Sequence, residues 1–234
     1  MRIYEQLWGE AMAAFELGKP QLDYHLLNKA NDLRRGVSLS FWLPASIQAR
    51  IKNFLDQLAA DFPGQYFYQP EELHVTVVTL VSATEHWQQE FGDVGSFRAI
   101  LGEVLARHPP FQVEFRGVTA APNAVLIQGF PIGNTLENIR ADLRRTFVER
   151  GFPNRLDRRY PNSAAHVTAM RFCKPDSDWK RLAAVLKASR QIHFGTMQVE
   201  ELQLLLSDWY ASANRVRLLE EFPLQISPQA RRPF

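Results

Sequence analysis

The chain has 234 residues, 46% of them hydrophobic and 22% charged, which suits one large domain or two small lobes with a substantial core. Its 27 basic and 25 acidic side chains nearly cancel, so a general polyanion-binding coat is excluded. A single cysteine, Cys173, excludes an intramolecular disulfide, argues against a Cys-based zinc site and fits a reducing compartment.

The opening "MRIYEQLWGEAMAAFELG" carries early acids and no sustained apolar run. It reads as neither signal peptide nor membrane span, and the protein is expected in the cytoplasm, away from membranes. Residues 1–35 read as a helical N-terminal extension, broken at Lys19-Pro20 and packed on a body formed by residues 36–234. The body opens with the alternating strand "GVSLSFWLP". An amphipathic helix follows from Ser46 to Ala60, where Ile47, Ile51, Phe54, Leu55 and Leu58 recur at spacings of three and four. Pro63-Gly64 ends it, and "QYFYQP" and "ELHVTVVTL" read as strands. Helical stretches are expected at 85–91 and 96–107, then the strands "FQVEFRGV" and "AVLIQGF". Asn134 or Thr135 can cap a helix running to about Arg150. The basic, turn-rich "GFPNRLDRRYPNS" leads into "AAHVTAMRF", a helix near 178–188, and two long β segments, "FGTMQVEELQLLLSD" and "NRVRLLEEFPL". Several strands join directly while helices intervene elsewhere, so the class is α+β.

One pattern occurs twice. "HVTV" begins at His74 and "HVTA" at His166, one copy in each half. Residues i and i+2 of a strand share a face, so His74 lies with Thr76 and His166 with Thr168, opposite apolar partners. A lone copy is explained by a satisfied core histidine and a threonine of good β propensity. Core packing does not ask for the same polar pair twice. Two histidines across a cleft can divide a proton transfer, because imidazole titrates near neutrality and opposite protonation states coexist there. The threonine hydroxyls can hold a phosphate between the rings by hydrogen bonds to its oxygens. A metal centre is the rival, weakened by the absence of Asp, Glu or Cys at ligand spacing. The chain has no G-x-S-x-G nucleophile motif and no G-x-x-x-x-G-K-[ST] phosphate loop.

Paired His-apolar-Thr-apolar motifs, one per half, resemble the two-histidine phosphoesterase superfamily and its bacterial RNA 2′,3′-cyclic phosphodiesterases, also called 2′–5′ RNA ligase-like proteins. The likeness runs from about Gly36 to Phe222. "LSFWLPASIQARI" resembles the branch's opening strand and helix, and "HVTAMRF" its second motif, with Arg171 five residues after the histidine. Ala165 stands where that branch commonly has proline, and "TLVSATE" where it has an F-L-G-like run. The resemblance implies two pseudo-symmetric lobes whose antiparallel sheets face across a central groove, with helices outside. It implies hydrolysis of a 2′,3′-cyclic phosphate or 2′-linked phosphodiester, in RNA or a small nucleotide; the residues themselves ask for no metal or cofactor, and the chain is expected to be a monomer. One of His74 and His166 would activate water and the other protonate the leaving ribose oxygen, with Thr76 and Thr168 on the phosphate.

Arg171 sits at a position that strand parity sends away from the histidine, and reaches the groove only if the strand ends or bulges first. Tyr68 and Tyr160 are candidates to stack on a base. The clusters at Arg155, Arg158 and Arg159 and at Arg231 and Arg232 each read by themselves as solvated surface, while the run Arg155–Arg159, beside Tyr160 in the loop leading to His166, is also a place to hold outer phosphates. His25, His86, His108 and His193 lack a threonine partner and carry no assignment. Two other readings fit the same residues: a nucleotide-binding module without turnover, and a different small-molecule hydrolase or isomerase using the histidine pair.

Overall fold

A computed structural model describes residues 2–91, 94–153, 155–158 and 163–225. Among these residues nine strands form one curled antiparallel sheet. They are β1 (Arg35–Trp42), β2 (Tyr66–Phe67), β3 (His74–Thr84), β4 (Phe111–Ala121), β5 (Ala124–Ile132), β6 (Val167–Arg171), β7 (His193–Val199), β8 (Glu201–Ser207) and β9 (Arg217–Pro223). Among the described residues six α-helices accompany them: α1 (Arg2–Glu16), α2 (Ala45–Asp61), α3 (Trp87–Phe91), α4 (Val94–Leu105), α5 (Thr135–Glu149) and α6 (Trp179–Ala188).

The strand order is β7-β4-β5-β6-β3-β1-β8-β9, with β2 beside β6. The two expected lobes are the two halves of this order, β6-β5-β4-β7 and β3-β1-β8-β9, joined edge to edge where β3 meets β6. Each motif strand is therefore the inner edge of its half. The helices tie the halves together. α2, which follows β1, packs against β6 and β7 of the other half, and α5, which follows β5, packs against β3. All five apolar positions of α2 that recur in the sequence are buried.

Two sequence expectations are refined. The segment "FGTMQVEELQLLLSD" is two strands, because the chain crosses at Glu200 from one end of the sheet to the other half: β7 pairs with β4, and β8 with β1. The alternation slips phase there, with exposed Glu200 and Glu201 adjacent between buried Val199 and Leu202, but a slip of this kind does not distinguish a crossing from a bulge within one strand. The N-terminal segment is α-helical only through α1. Beyond the Lys19-Pro20 break it is irregular to Asp23, then forms a 3-10 helix at Tyr24–Asn31, kinked at Asn28.

α1 contributes to the main core. It packs on β4 and α6 through Tyr4, Ala11 and Phe15, and the Phe15 ring lies 5.4 Å from Phe172 and 5.8 Å from Trp179. The Tyr4 hydroxyl donates to the Gly129 carbonyl at 3.0 Å and accepts from the Gly129 amide at 3.2 Å. Gly129 also explains how closely the chain entering β6 approaches β5. A Cβ there would come within 1.9 Å of the Ala165 carbonyl oxygen, so only glycine allows the approach that places His166.

Candidate active site

β3 and β6 meet in antiparallel register at Val75 and Val167, both fully buried. Extending that register by one residue sets His74 against Thr168 and Thr76 against His166. The two histidines are then diagonal neighbours on one face, a relation that spans about 7–8 Å between backbones. All four polar side chains line a single open cleft with about 690 Å³ of empty volume, together with Tyr68, Arg171 and Trp209.

Both motif strands break their parity in the same way. On β3, Leu39 faces Val78 while Ser40 faces Thr76, so Val77 is an extra residue. On β6, Val125 faces Met170 while Leu126 faces Thr168, so Ala169 is extra. Each bulge falls three residues after its histidine and returns the fifth residue to the histidine's side. That residue is Thr79 in the first strand and Arg171 in the second, and both line the cleft. Each bulge carbonyl has a partner: Arg140 Nε donates to Val77 O at 3.1 Å, and the Tyr68 amide donates to Ala169 O at 3.0 Å. The halves are thus alike in backbone and unlike in charge, since only one carries the arginine.

The histidines differ in their support. His74 Nδ1 lies 2.7 Å from the Glu72 carbonyl oxygen. A carbonyl only accepts, so Nδ1 carries the hydrogen and Nε2 is the nitrogen left for chemistry. Burial lowers the His74 pKa, the Glu72 carbonyl opposes that, and the Arg171 charge adds to the lowering. The ring is flanked by Trp42 at 5.4 Å, whose Nε1 donates to Gln203 Oε1 at 2.7 Å. His166 Nδ1 is buried without a hydrogen-bond partner among the described residues. Burial, then the charges of Arg171, His74 and Arg140, lower its pKa to about 4.

Arg171 Nε donates to the Tyr68 hydroxyl at 2.9 Å, and its guanidinium lies 5.5 Å from the Trp209 ring centroid. Tyr68 is 3% exposed and presents no open ring face to a base; its hydroxyl instead orients Arg171. Burial raises its pKa, which keeps the phenol protonated. The half-exposed aromatic of the cleft is Trp209, a residue the sequence reading did not single out. It sits on a turn wound around buried Asp208, whose carboxylate accepts from the amides of Tyr210 (3.1 Å) and Ser212 (2.9 Å) and from the Ser212 hydroxyl (2.7 Å). "SDWYAS" carries an aspartate-turn signal that points to this loop.

The basic loop before β6 is used differently from the expectation. Arg155 donates to Glu90 through Nη1 (3.0 Å to Oε2) and Nη2 (2.9 Å to the carbonyl), and Arg158 reaches the same carboxylate at 3.2 Å. Both cations are bound to a carboxylate on α3. Asp157, at φ 54°, docks the loop onto the cleft strand: its amide donates to Thr79 O and its Oδ1 accepts from Thr79 N, both at 2.8 Å. Arg159, Tyr160, Arg231 and Arg232 lie outside the described residues. Among the described residues no three His, Cys, Asp or Glu side chains cluster as metal donors, and no helix is long and apolar enough to cross a membrane.

Residues 37–214 match the family model of the AKAP7 2′5′ RNA ligase-like domain. The chain belongs to this family, within the two-histidine phosphoesterase superfamily. It is 25% identical over 166 residues to an RNA 2′,3′-cyclic phosphodiesterase of Aquifex aeolicus, across 67% of this chain and 80% of that one. Its fold is similar to that of E. coli LigT crystallised with 3′-AMP (TM-score 0.56, 16% identity, covering 82% of this chain and 99% of LigT). A crystal structure from Thermus thermophilus is equally similar (TM-score 0.56, 19% identity, covering 81% and 97%). In this member of the 2′5′ RNA ligase-like family, the matched region takes in every residue lining the cleft except Gly36 and leaves out α1 and the 3-10 helix.

Proposed function

We propose that the cleft hydrolyses a 2′,3′-cyclic phosphate or 2′-linked phosphodiester, of RNA or a small nucleotide, by metal-independent acid–base catalysis. The observation that carries this reading is the convergence of both histidine–threonine pairs and Arg171 on one cleft. Thr76 and Thr168 donate to the non-bridging phosphate oxygens, and the Arg171 guanidinium balances the charge that grows there. Water forms the new P–O bond while the ribose oxygen leaves. One histidine takes the water proton and the other supplies a proton to the leaving oxygen, so the pair ends with its protons exchanged.

The surroundings support distinct roles. As a cation, His74 keeps its Nδ1–H bonded to the Glu72 carbonyl. As a cation, His166 would be a buried charge beside Arg171 and Arg140, with no acceptor on its Nδ1–H to stabilise it. His166 therefore rests neutral and serves as base, and His74 serves as acid. A bound phosphodiester anion offsets Arg171 and raises the His74 pKa toward its ordinary value.

The test is incubation of EDTA-treated protein with 2′,3′-cyclic nucleotides and separation of the products. Ring opening to a phosphomonoester is expected with unchanged rate; activity lost to EDTA and restored by zinc would overturn the metal-free account. A second measurement addresses Arg171. Tyr68→Phe removes the acceptor that orients the guanidinium, and a hydrogen bond to a charged group is worth about tenfold in binding. KM is expected to rise by about that factor with kcat less affected. A change in melting temperature with no change in KM would show Tyr68 to be structural only.

A further inference from the structure

A second cavity, with about 670 Å³ of empty volume, adjoins the phosphate cleft and shares Arg171 and Trp209 with it. Its far side comes from the N-terminal segment, through Asp23, His25 and Arg34, and from Asn123 in the turn between β4 and β5. This side is anchored in place. The Gln21 amide donates to Pro122 O at 2.8 Å and the Asp23 amide to Phe172 O at 2.7 Å. The Tyr210 hydroxyl donates to the Asp23 carboxylate at 3.0 Å.

Charge decides what kind of ligand fits. The Arg34 guanidinium is held by the Asp32 carboxylate, with Nη2 2.7 Å from Oδ2 and Nε 2.9 Å from Oδ1. Asp23 adds a negative charge of its own. A cavity so balanced is poorly made for a second phosphate. It offers two side chains able to donate and accept, His25 and Asn123, with no intramolecular hydrogen bonds among the described residues. It also offers a flat wall, the Trp209 ring with the guanidinium carbons of Arg34 and Arg171 at 5.8 and 5.5 Å from its centroid. Planar π and guanidinium surfaces with side chains that donate and accept hydrogen bonds at the edge recognise a planar heterocycle.

We infer that this cavity binds the nucleobase of the nucleotide whose phosphate lies between His74 and His166. The inference rests on reading the cleft as a phosphoester site. It gives the N-terminal segment a function beyond packing: it builds the base pocket of this chain. Arg171 then sits at the junction, with phosphate on one side and base on the other.

Equilibrium binding by calorimetry tests it, using adenosine 3′-phosphate and the base-free analogue 1,4-anhydroribitol 3-phosphate with wild-type protein and with the His25→Ala/Asn123→Ala double variant. Wild type is expected to bind the nucleotide at least tenfold more tightly than the base-free analogue, and the double variant to narrow that ratio to below threefold. Equal affinities in wild type, binding of neither ligand, or an unchanged ratio in the double variant would overturn the base pocket. No turnover is required, so absent hydrolysis with a preserved base preference overturns the proposed reaction alone. Ring opening with no base preference overturns the pocket alone.

Discussion

Replacing His74 or His166 with alanine is expected to lower kcat/KM for a 2′,3′-cyclic nucleotide by at least about a thousandfold, within the range a positioned general acid or base contributes. That factor corresponds to about 4 kcal/mol of barrier. Both positions are on the cleft wall, so circular dichroism should stay that of wild type. The two variants are expected to separate with leaving group. A p-nitrophenyl phosphodiester releases a weakly basic oxygen that needs no proton, so His74→Ala should regain much of its rate on that substrate and His166→Ala should not. The double variant should be hardly slower than the slower single variant, since the two groups act as a unit. The pH profile has a definite sign. His166 acts unprotonated, so kcat/KM rises as pH climbs through about 4. His74 acts protonated with a pKa below its usual 6.5, so kcat/KM falls again before neutrality. The optimum for kcat/KM is thus expected on the acid side of 6.5, and that for kcat higher, because the bound anion raises the His74 pKa. Full activity retained in either variant, or equal rescue of both by the better leaving group, would sink the paired roles.

Much of this site was legible because strand periodicity and side-chain chemistry point the same way at His74, Thr76, His166 and Thr168. Parity arithmetic then failed at Arg171 for a physical reason. A bulge at Ala169 reverses the face, and neither Ala169 nor Val77 carries a composition cue for a bulge, such as glycine. The pairing of distant strands was out of reach too: nothing local tells that β8 returns to β1 while β7, one residue away in the chain, serves β4. Trp209 was missed because a tryptophan beside a turn is ordinary, and its meaning comes from Arg34 and Arg171 arriving from other parts of the chain. At Arg155 and Arg158 the converse holds. A cluster of arginines looks like an anion site until Glu90, more than sixty residues earlier, is found beneath it.

Arg140 could have been found from sequence, since it falls on the helical face of Leu136, Ile139, Leu143 and Phe147, where an arginine is out of place. Its side chain is fully buried on α5. Nε donates to the bulge carbonyl of Val77 at 3.1 Å and Nη2 to Ala164 O at 2.8 Å, while Nη1 meets the exposed Glu137 carboxylate at 3.2 Å. One planar guanidinium therefore joins the strand of His74 to the chain entering His166. A methionine at this position fills similar volume and supplies no donor. The buried Val77 carbonyl then loses its partner at about 1–3 kcal/mol, and the partly buried Ala164 carbonyl loses its own at less. Removal of a buried charge returns part of that, since its desolvation penalty disappears. The net expectation for Arg140→Met is a loss of about 3 kcal/mol, read as a fall of roughly 6–12 °C in Tm for a chain of this size. Lysine keeps the charge but cannot bridge both carbonyls as a fork does, so Arg140→Lys should be intermediate. Destabilisation alone would fit any buried arginine. The positioning role makes two further demands on Arg140→Met below its melting temperature. kcat should fall by about a hundredfold as the spacing of the two rings loosens, the scale expected for misplacement of about 1 Å. The acid limb of the pH profile should move upward from about 4, because the Arg140 charge that helps to hold the His166 pKa down is gone. An unshifted limb with wild-type kcat would confine Arg140 to stability.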